Sequence, residues 1–231
     1  MFIPWFDPTF LLLIPALILA FWAQITVSSR FRAFSRVESL TGFTGEKLAR
    51  YLLDNAGLYD VKIETISGQL TDHYDPKSKV IRLSSATYGS SSIAALGVVS
   101  HEVGHAIQHA EKYAPLVIRN IVASAAGFGS SLAWILFIIG LLFVSPVLMK
   151  IGIVLFSIAV FFTLITLPVE FNASSRALQL LRQRIAMPEE ELDGVRKVLN
   201  AAALTYVAGA AMAALQLLRM IILARAYGGR D

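Results

Sequence analysis

Long apolar runs alternate with polar stretches along this chain. The first run, from about Phe10 to Val27, comes close to the ~20 residues that a membrane-spanning helix needs. Asp7 precedes it and Arg30, Arg32 and Arg36 follow, the reverse of a cleaved signal peptide, so the pattern predicts a permanent anchor with its N-terminus outside. From Arg30 to about Leu116 the character is that of a small soluble domain. Leu48, Tyr51 and Leu52 recur at helical spacing between Thr44, a candidate cap, and Gly57, a stop, which predicts a helix over Gly45 to Asn55. Strand-like stretches follow at Val61 to Ile66, Gln69 to Tyr74 and Lys79 to Leu83, the last two joined by a turn at Asp75-Pro76-Lys77-Ser78. Ser90-Ser91-Ser92 then opens a helix from Ile93 to about Tyr113, which Pro115 ends.

Two further apolar spans, about Ile121 to Val144 and Val147 to Leu167, are separated by Ser145-Pro146 and predict a tight membrane hairpin with Lys150 as its nearby charge. Polar character returns from Glu170 to Asn200. One helix is expected to about Ala186, and a second is opened by Pro188 with Glu189, Glu190 and Glu191 on its positive end. A last apolar run, Ala201 to about Ala224, is rich in small residues such as Gly209 and Ala213 that let helices approach closely. Arg219 interrupts it, and Arg219, Arg225 and Arg230 would have to lie toward the outside if it crosses fully.

Composition sharpens this into a class. Among 231 residues, 56% are hydrophobic and only 16% charged, and the mean hydropathy is +0.64, which together indicate a mainly α integral membrane protein. About four transmembrane helices and a small α+β domain are expected. The formal net charge of +4 comes from 20 Lys+Arg against 16 Asp+Glu without a basic run, so it sets topology and does not point to nucleic acid. Without cysteine there is no disulfide framework, no Cys-type zinc site and no thiol nucleophile. A metal would have to be held by carboxylates and the four histidines.

The chemistry lies in His101-Glu102-Val103-Gly104-His105, an H-E-x-x-H on a predicted helix. Residues four apart share a helical face, so both imidazoles can reach one ion, with Glu102 placed to act on a metal-bound water. The plain alternative, a buried helix that merely carries these residues, would bury two His and a Glu at several kcal/mol. A third ligand is needed. Where a metzincin would have its third histidine stands Glu111. His109 lies on the same face, but the eight residues from His101 to His109 rise about 12 Å, too far to converge on one ion, so it is expected beside the ligands or at the surface. Glu170 is the better candidate, because it follows Pro168 where the hairpin returns to the side on which it began. An interfacial Glu at a helix N-terminus is its alternative.

His101-Glu102-x-x-His105, a membrane hairpin, and Glu170 in a Glu-x-x-Ala-x-x-Arg context resemble the membrane gluzincins, integral-membrane zinc endopeptidases of the HtpX and CAAX-protease type. Closer still, Gly68-Gln69-Leu70-Thr71-Asp72-His73-Tyr74-Asp75-Pro76, His101 to His109 and Leu167-Pro168-Val169-Glu170-Phe171-Asn172-Ala173-Ser174 resemble the bacterial YugP-like neutral zinc metallopeptidases over almost the whole chain. That resemblance implies one zinc per chain held by His101, His105 and Glu170, with Glu102 as catalytic base. Together with the apolar and polar runs, the chain divides into an anchor (1–29), a zincin-like half carrying the H-E-x-x-H helix (30–116), a membrane hairpin (117–169), helices carrying the third ligand (170–200) and a C-terminal membrane helix (201–231). One position departs: gluzincins usually place Asp four residues after the ligand Glu to orient the first His, and Ser174 stands there, leaving Ser174 or Asn172 to serve.

The expected activity is therefore hydrolysis of peptide bonds at a multi-pass inner membrane, on the cytoplasmic side, where most Lys and Arg fall. The substrate would be a peptide or membrane protein, and the partners the lipid bilayer and a second copy or an accessory membrane protein. Tyr113, Tyr206 and His73 are candidates to steady the oxyanion, and a substrate could pair with the Lys79 to Leu83 strand as an added edge. The competing classes are a non-catalytic zinc-binding scaffold or chaperone-like protein, a site-2-type protease and a transporter. The apolar run Ile93 to Val99 before His101 is too short to span, which argues against the second, and Arg219 is too little to argue for the third.

Overall fold

The computed structural model describes residues 8–228; Asp7 and Arg230, used above in reading topology, lie outside them. After a 3-10 turn over Pro8–Leu13, helix α1 spans Ile14–Phe34 and α2 Gly45–Asn55. Three strands follow, β1 (Lys62–Ile66), β2 (His73–Asp75) and β3 (Val80–Ser84), then a single turn of helix, α3 (Ser85–Tyr88), that the sequence pattern did not announce. Four helices complete the chain: α4 (Ile93–Ala110), α5 (Ala114–Leu142), α6 (Pro146–Arg184) and α7 (Glu189–Gly228). The chain is mainly α with a small α+β part, and the helices built on α1, α5, α6 and α7 are each long and apolar enough to cross a membrane.

Within the described residues the chain divides into two compact units. One comprises 8–23, 118–167 and 205–228. Its buried side chains, Phe137, Met149, Phe156 and Met220, face inward, while Phe21, Phe128 and Val154 stand exposed, the distribution of helices that meet hydrocarbon rather than water. Arg219 does not stand alone there. Its Nε donates to Thr9 Oγ1 at 3.1 Å, and its guanidinium sits 5.4 Å from the centre of the Phe10 ring, a cation–π contact that lowers the cost of the charge.

The other unit, 24–117 with 168–204, carries the chemistry. Its core joins Leu48, Leu52 and Leu53 of α2, Ile81 and Leu83 of β3, Leu96, Val99 and Val103 of α4, Leu181 of α6, and Leu192 and Val195 of α7. Each fully buried Leu contributes roughly 1.5–3 kcal/mol. The sheet order is β1-β3-β2, with β1 parallel to β3 (Lys62 opposite Val80) and β2 antiparallel to it (Tyr74 opposite Ile81). The turn Asp75-Pro76-Lys77-Ser78 forms as expected. Asp75 Oδ1 accepts from Lys77 N at 2.9 Å and its Oδ2 from Ser78 Oγ at 2.6 Å, and these bonds hold the carboxyl well below its usual pKa.

Several expectations need correction. The second strand begins at His73 and not at Gln69, because Gly68 (φ +112°) and Leu70 (φ +58°) turn the chain while Asp72 bonds the Ser84 amide with its side chain. Since β3 is the central strand, paired on both edges, Lys79 to Leu83 has no free edge to offer a substrate. Helix α4 ends at Ala110, where Lys112 turns to φ +52° and the Tyr113 amide reaches back to Gln108 O at 2.9 Å; Pro115 opens α5 instead of ending α4. Pro168 does not break α6, so Glu170 lies inside a helix and does not open one. The proline's missing bond costs about 3 kcal/mol, but Val169, Ala173, Ala177 and Leu181, four residues apart, are all fully buried and hold the helix through it. Likewise α7 runs unbroken past residue 201.

Candidate metal centre

Helix α4 presents the H-E-x-x-H. It starts at Ser92, whose hydroxyl accepts from the Ala95 amide at 3.3 Å, and its face toward α6 is set by a glycine. A Cβ on Gly104 would stand 2.8 Å from the Ala173 carbonyl oxygen and 3.3 Å from Ala173 Cα, so only glycine lets the two backbones approach this closely. That approach brings His101 and His105 of α4 against Glu170 and Ser174 of α6. His101 Nε2 lies 3.3 Å and His105 Nε2 3.6 Å from Glu170 Oε2, and the two Nε2 atoms are 3.1 Å apart. The imidazoles meet edge to face, at 87°. A tetrahedral zinc with bonds of about 2.0–2.2 Å holds its donors about 3.3–3.6 Å apart, so these three atoms already stand close to the spacing such an ion needs. Among the described residues, they form the group of His and carboxylate donors close enough to hold a metal.

The far ring nitrogens are also held. His101 Nδ1 lies 3.2 Å from Ser174 Oγ, so Ser174 stands where gluzincins usually place Asp, while Asn172 turns elsewhere. His105 Nδ1 lies 3.0 Å from Oε1 of Gln108. Gln108 was missed by sequence reasoning, although His105-x-x-Gln108 is the spacing of neighbours on one helix face. Both Nε2 atoms face Glu170, and the donor set suits zinc. Burial pulls the His105 pKa down, but the Glu170 hydrogen bond, the charges of Glu102 and Glu170 and the Gln108 contact outweigh it, and the pKa is raised.

Glu102 is buried and has no hydrogen-bond partner among the described residues, while its charge acts on His105. Its carboxylate oxygens are not among the fully buried side-chain atoms that lack a partner, so they are open to a water beside the triad. His109 is not part of the triad, since its Nδ1 lies 2.9 Å from the Tyr74 hydroxyl. Glu111, the residue at the metzincin position, pairs with Arg176 at 2.7 Å. His73 is exposed and bonds the Thr71 carbonyl, Tyr113 makes no side-chain hydrogen bond among the described residues, and Tyr206 belongs to the other unit. Among the described residues, neither His73 nor Tyr113 bonds the triad.

Comparison with known proteins bears on this arrangement. The family described as "Putative neutral zinc metallopeptidase" matches residues 9–225. The "Putative membrane protease YugP" of Bacillus subtilis (strain 168) is 51% identical over 220 residues, covering 95% of this chain and 97% of that protein. No solved structure matches.

Proposed function

This chain belongs to the neutral zinc metallopeptidase family, and from that premise we propose that it is a membrane-bound peptidase in which His101, His105 and Glu170 hold one zinc ion and Glu102 is the general base. The observation that supports this most is the spacing of the three donor atoms, 3.1, 3.3 and 3.6 Å, reached from two separate helices. When bound, zinc supplies Lewis acidity toward a water and a peptide carbonyl. Glu102 takes a proton from the water as its oxygen bonds the carbonyl carbon, then delivers that proton to the amide nitrogen as the C–N bond breaks. Its burial favours this, because a carboxylate with no competing donor keeps its lone pairs for the water. Ser174 and Gln108 orient the two imidazoles.

The substrate on this reading is a peptide or an extended segment of a membrane protein, reached from the cytoplasmic side on which Arg30, Arg32 and Arg36 follow the first span. The test is hydrolysis of a fluorogenic peptide library by detergent-purified protein. Zinc-dependent cleavage lost in Glu102→Gln, with zinc retained, supports the peptidase; equal turnover in wild type and Glu102→Gln refutes Glu102 as base. Zinc bound with no cleavage of any peptide would favour a non-catalytic scaffold. A reporter fused after Lys150 reads orientation, and a cytoplasmic signal there overturns the cytoplasmic placement of the site.

A further inference from the structure

We infer that Gln108, Asn172 and Arg176 form a positioning relay that fixes which nitrogen of His105 is free for a metal, an inference that rests on the zinc reading above. Its direction follows from groups whose roles admit no choice. Arg176 can only donate, and it is anchored by Glu111 at 2.7 Å. Its Nε donates to Asn172 Oδ1 at 2.7 Å, which fixes the Asn172 amide with its oxygen toward Arg176. That same oxygen accepts from Gln108 Nε2 at 2.9 Å, and Gln108 Nε2 also donates to the Val169 carbonyl at 2.8 Å. Both donors of the Gln108 amide are thereby used, and Oε1 is left to face His105 Nδ1. His105 must then carry its proton on Nδ1, with the Nε2 lone pair turned toward Glu170.

The reversed Gln108 amide is excluded by its surroundings. Gln108 is fully buried, and a flip would set its oxygen against two other oxygens, those of Val169 and Asn172. The relay thus runs from a half-exposed ion pair through two amides to a metal ligand, and it crosses from α6 back to α4. Two sequence spacings encode it: His105 and Gln108 three apart on α4, with Glu111 three further on at its C-cap, and Asn172 and Arg176 four apart on α6. Ser174 holds His101 by a single hydroxyl, which can donate or accept and so cannot dictate a tautomer; only His105 has its tautomer dictated.

The experiment compares wild type, Gln108→Leu, Arg176→Leu and Arg176→Lys by zinc competition against a chelator, and by ¹⁵N spectra of the zinc-free protein labelled at histidine, taken at a pH where the imidazoles are neutral. Gln108→Leu should lose about 10–100-fold in zinc affinity and show His105 no longer confined to the Nδ1–H form. Arg176→Leu should give a smaller loss in the same direction, and Arg176→Lys, which keeps a donor for Asn172, should recover it. A merely structural role would not move the tautomer. A wild-type spectrum with His105 protonated on Nε2 overturns the relay, as does Gln108→Leu with unchanged affinity and tautomer. Should Gln108→Leu fail to fold, Arg176→Leu decides: wild-type affinity and an unmixed tautomer there overturn the proposal. Wild-type protein that takes up no zinc would sink the zinc reading, while its zinc-free spectrum still judges the relay.

Discussion

Adding one methyl group at Gly104 should uncouple zinc binding from folding. In Gly104→Ala the new Cβ would meet the Ala173 carbonyl oxygen at 2.8 Å, against 3.4 Å or more for an ordinary contact, so α4 and α6 must separate by about 0.6 Å. The obstacle is backbone and cannot rotate away. Metal sites tolerate about 0.2 Å in ligand distance, so a shift of that size draws Glu170 out of reach of the ion that His101 and His105 would share. Overpacking costs about 1–3 kcal/mol, but a helical Gly→Ala change returns about 1 kcal/mol, leaving a fold weakened by no more than about 2 kcal/mol. Gly97→Ala is the control: its Cβ meets Val195 Cγ1 at 3.0 Å, a side chain that can yield. Zinc content after dialysis against a graded chelator, with thermal unfolding by circular dichroism alongside, reads both effects. Gly104→Ala should be folded and depleted of zinc, and Gly97→Ala folded and loaded. A Gly104→Ala protein that retains zinc as wild type does would refute the claim that this close approach builds the site.

Ser174→Ala should weaken zinc retention about 10-fold by releasing His101 Nδ1, and Ser174→Asp should restore it, since a carboxylate is a stronger acceptor for the same N–H; chelator titration of the three proteins checks both. Zinc affinity should fall as pH is lowered, beginning above the ordinary imidazole value of 6.5, because the raised His105 pKa means the zinc-free site keeps a proton there that the metal must displace; titrations at a series of pH values read this, and an affinity flat through that range contradicts it. Glu191→Ala should destabilise the site-bearing unit by about 1.5–3 kcal/mol, since this buried carboxylate accepts from the Leu40 amide at 2.9 Å and from Ser39 Oγ; denaturant unfolding measures it, and zinc stoichiometry should not change.

Much of this was legible in the residues because it rests on local periodicity. The Asp75-Pro76-Lys77-Ser78 turn, the Ser92 start of α4 and the hairpin break near Ser145 each follow from a turn, a cap or an apolar run; the α2 boundaries also match, although Thr44 stands at the N-cap without a side-chain capping bond. What escaped depends on tertiary packing. Pro168 reads as a break, yet a fully buried stripe from Val169 to Leu181 carries the helix through it. The order β1-β3-β2 is a matter of which strands pair across distance, and it turned the strand expected at an edge into the central one. At the site, the motif named His101, Glu102 and His105, and topology suggested Glu170. Gln108 was hidden because a glutamine on an apolar helix has no distinctive signature until its partners on α6 are known. Gly104 sat unremarked inside the motif, although its missing Cβ is what α6 packs against.

The account stands or falls on whether one ion is shared by these two helices. Metal content of the detergent-purified protein by mass spectrometry, in wild type, Glu102→Gln, His105→Ala and Glu170→Ala, tests that directly. Zinc near one per chain in wild type and Glu102→Gln, and lost from His105→Ala and Glu170→Ala, is the result expected; zinc retained in Glu170→Ala, or none in wild type, would contradict it.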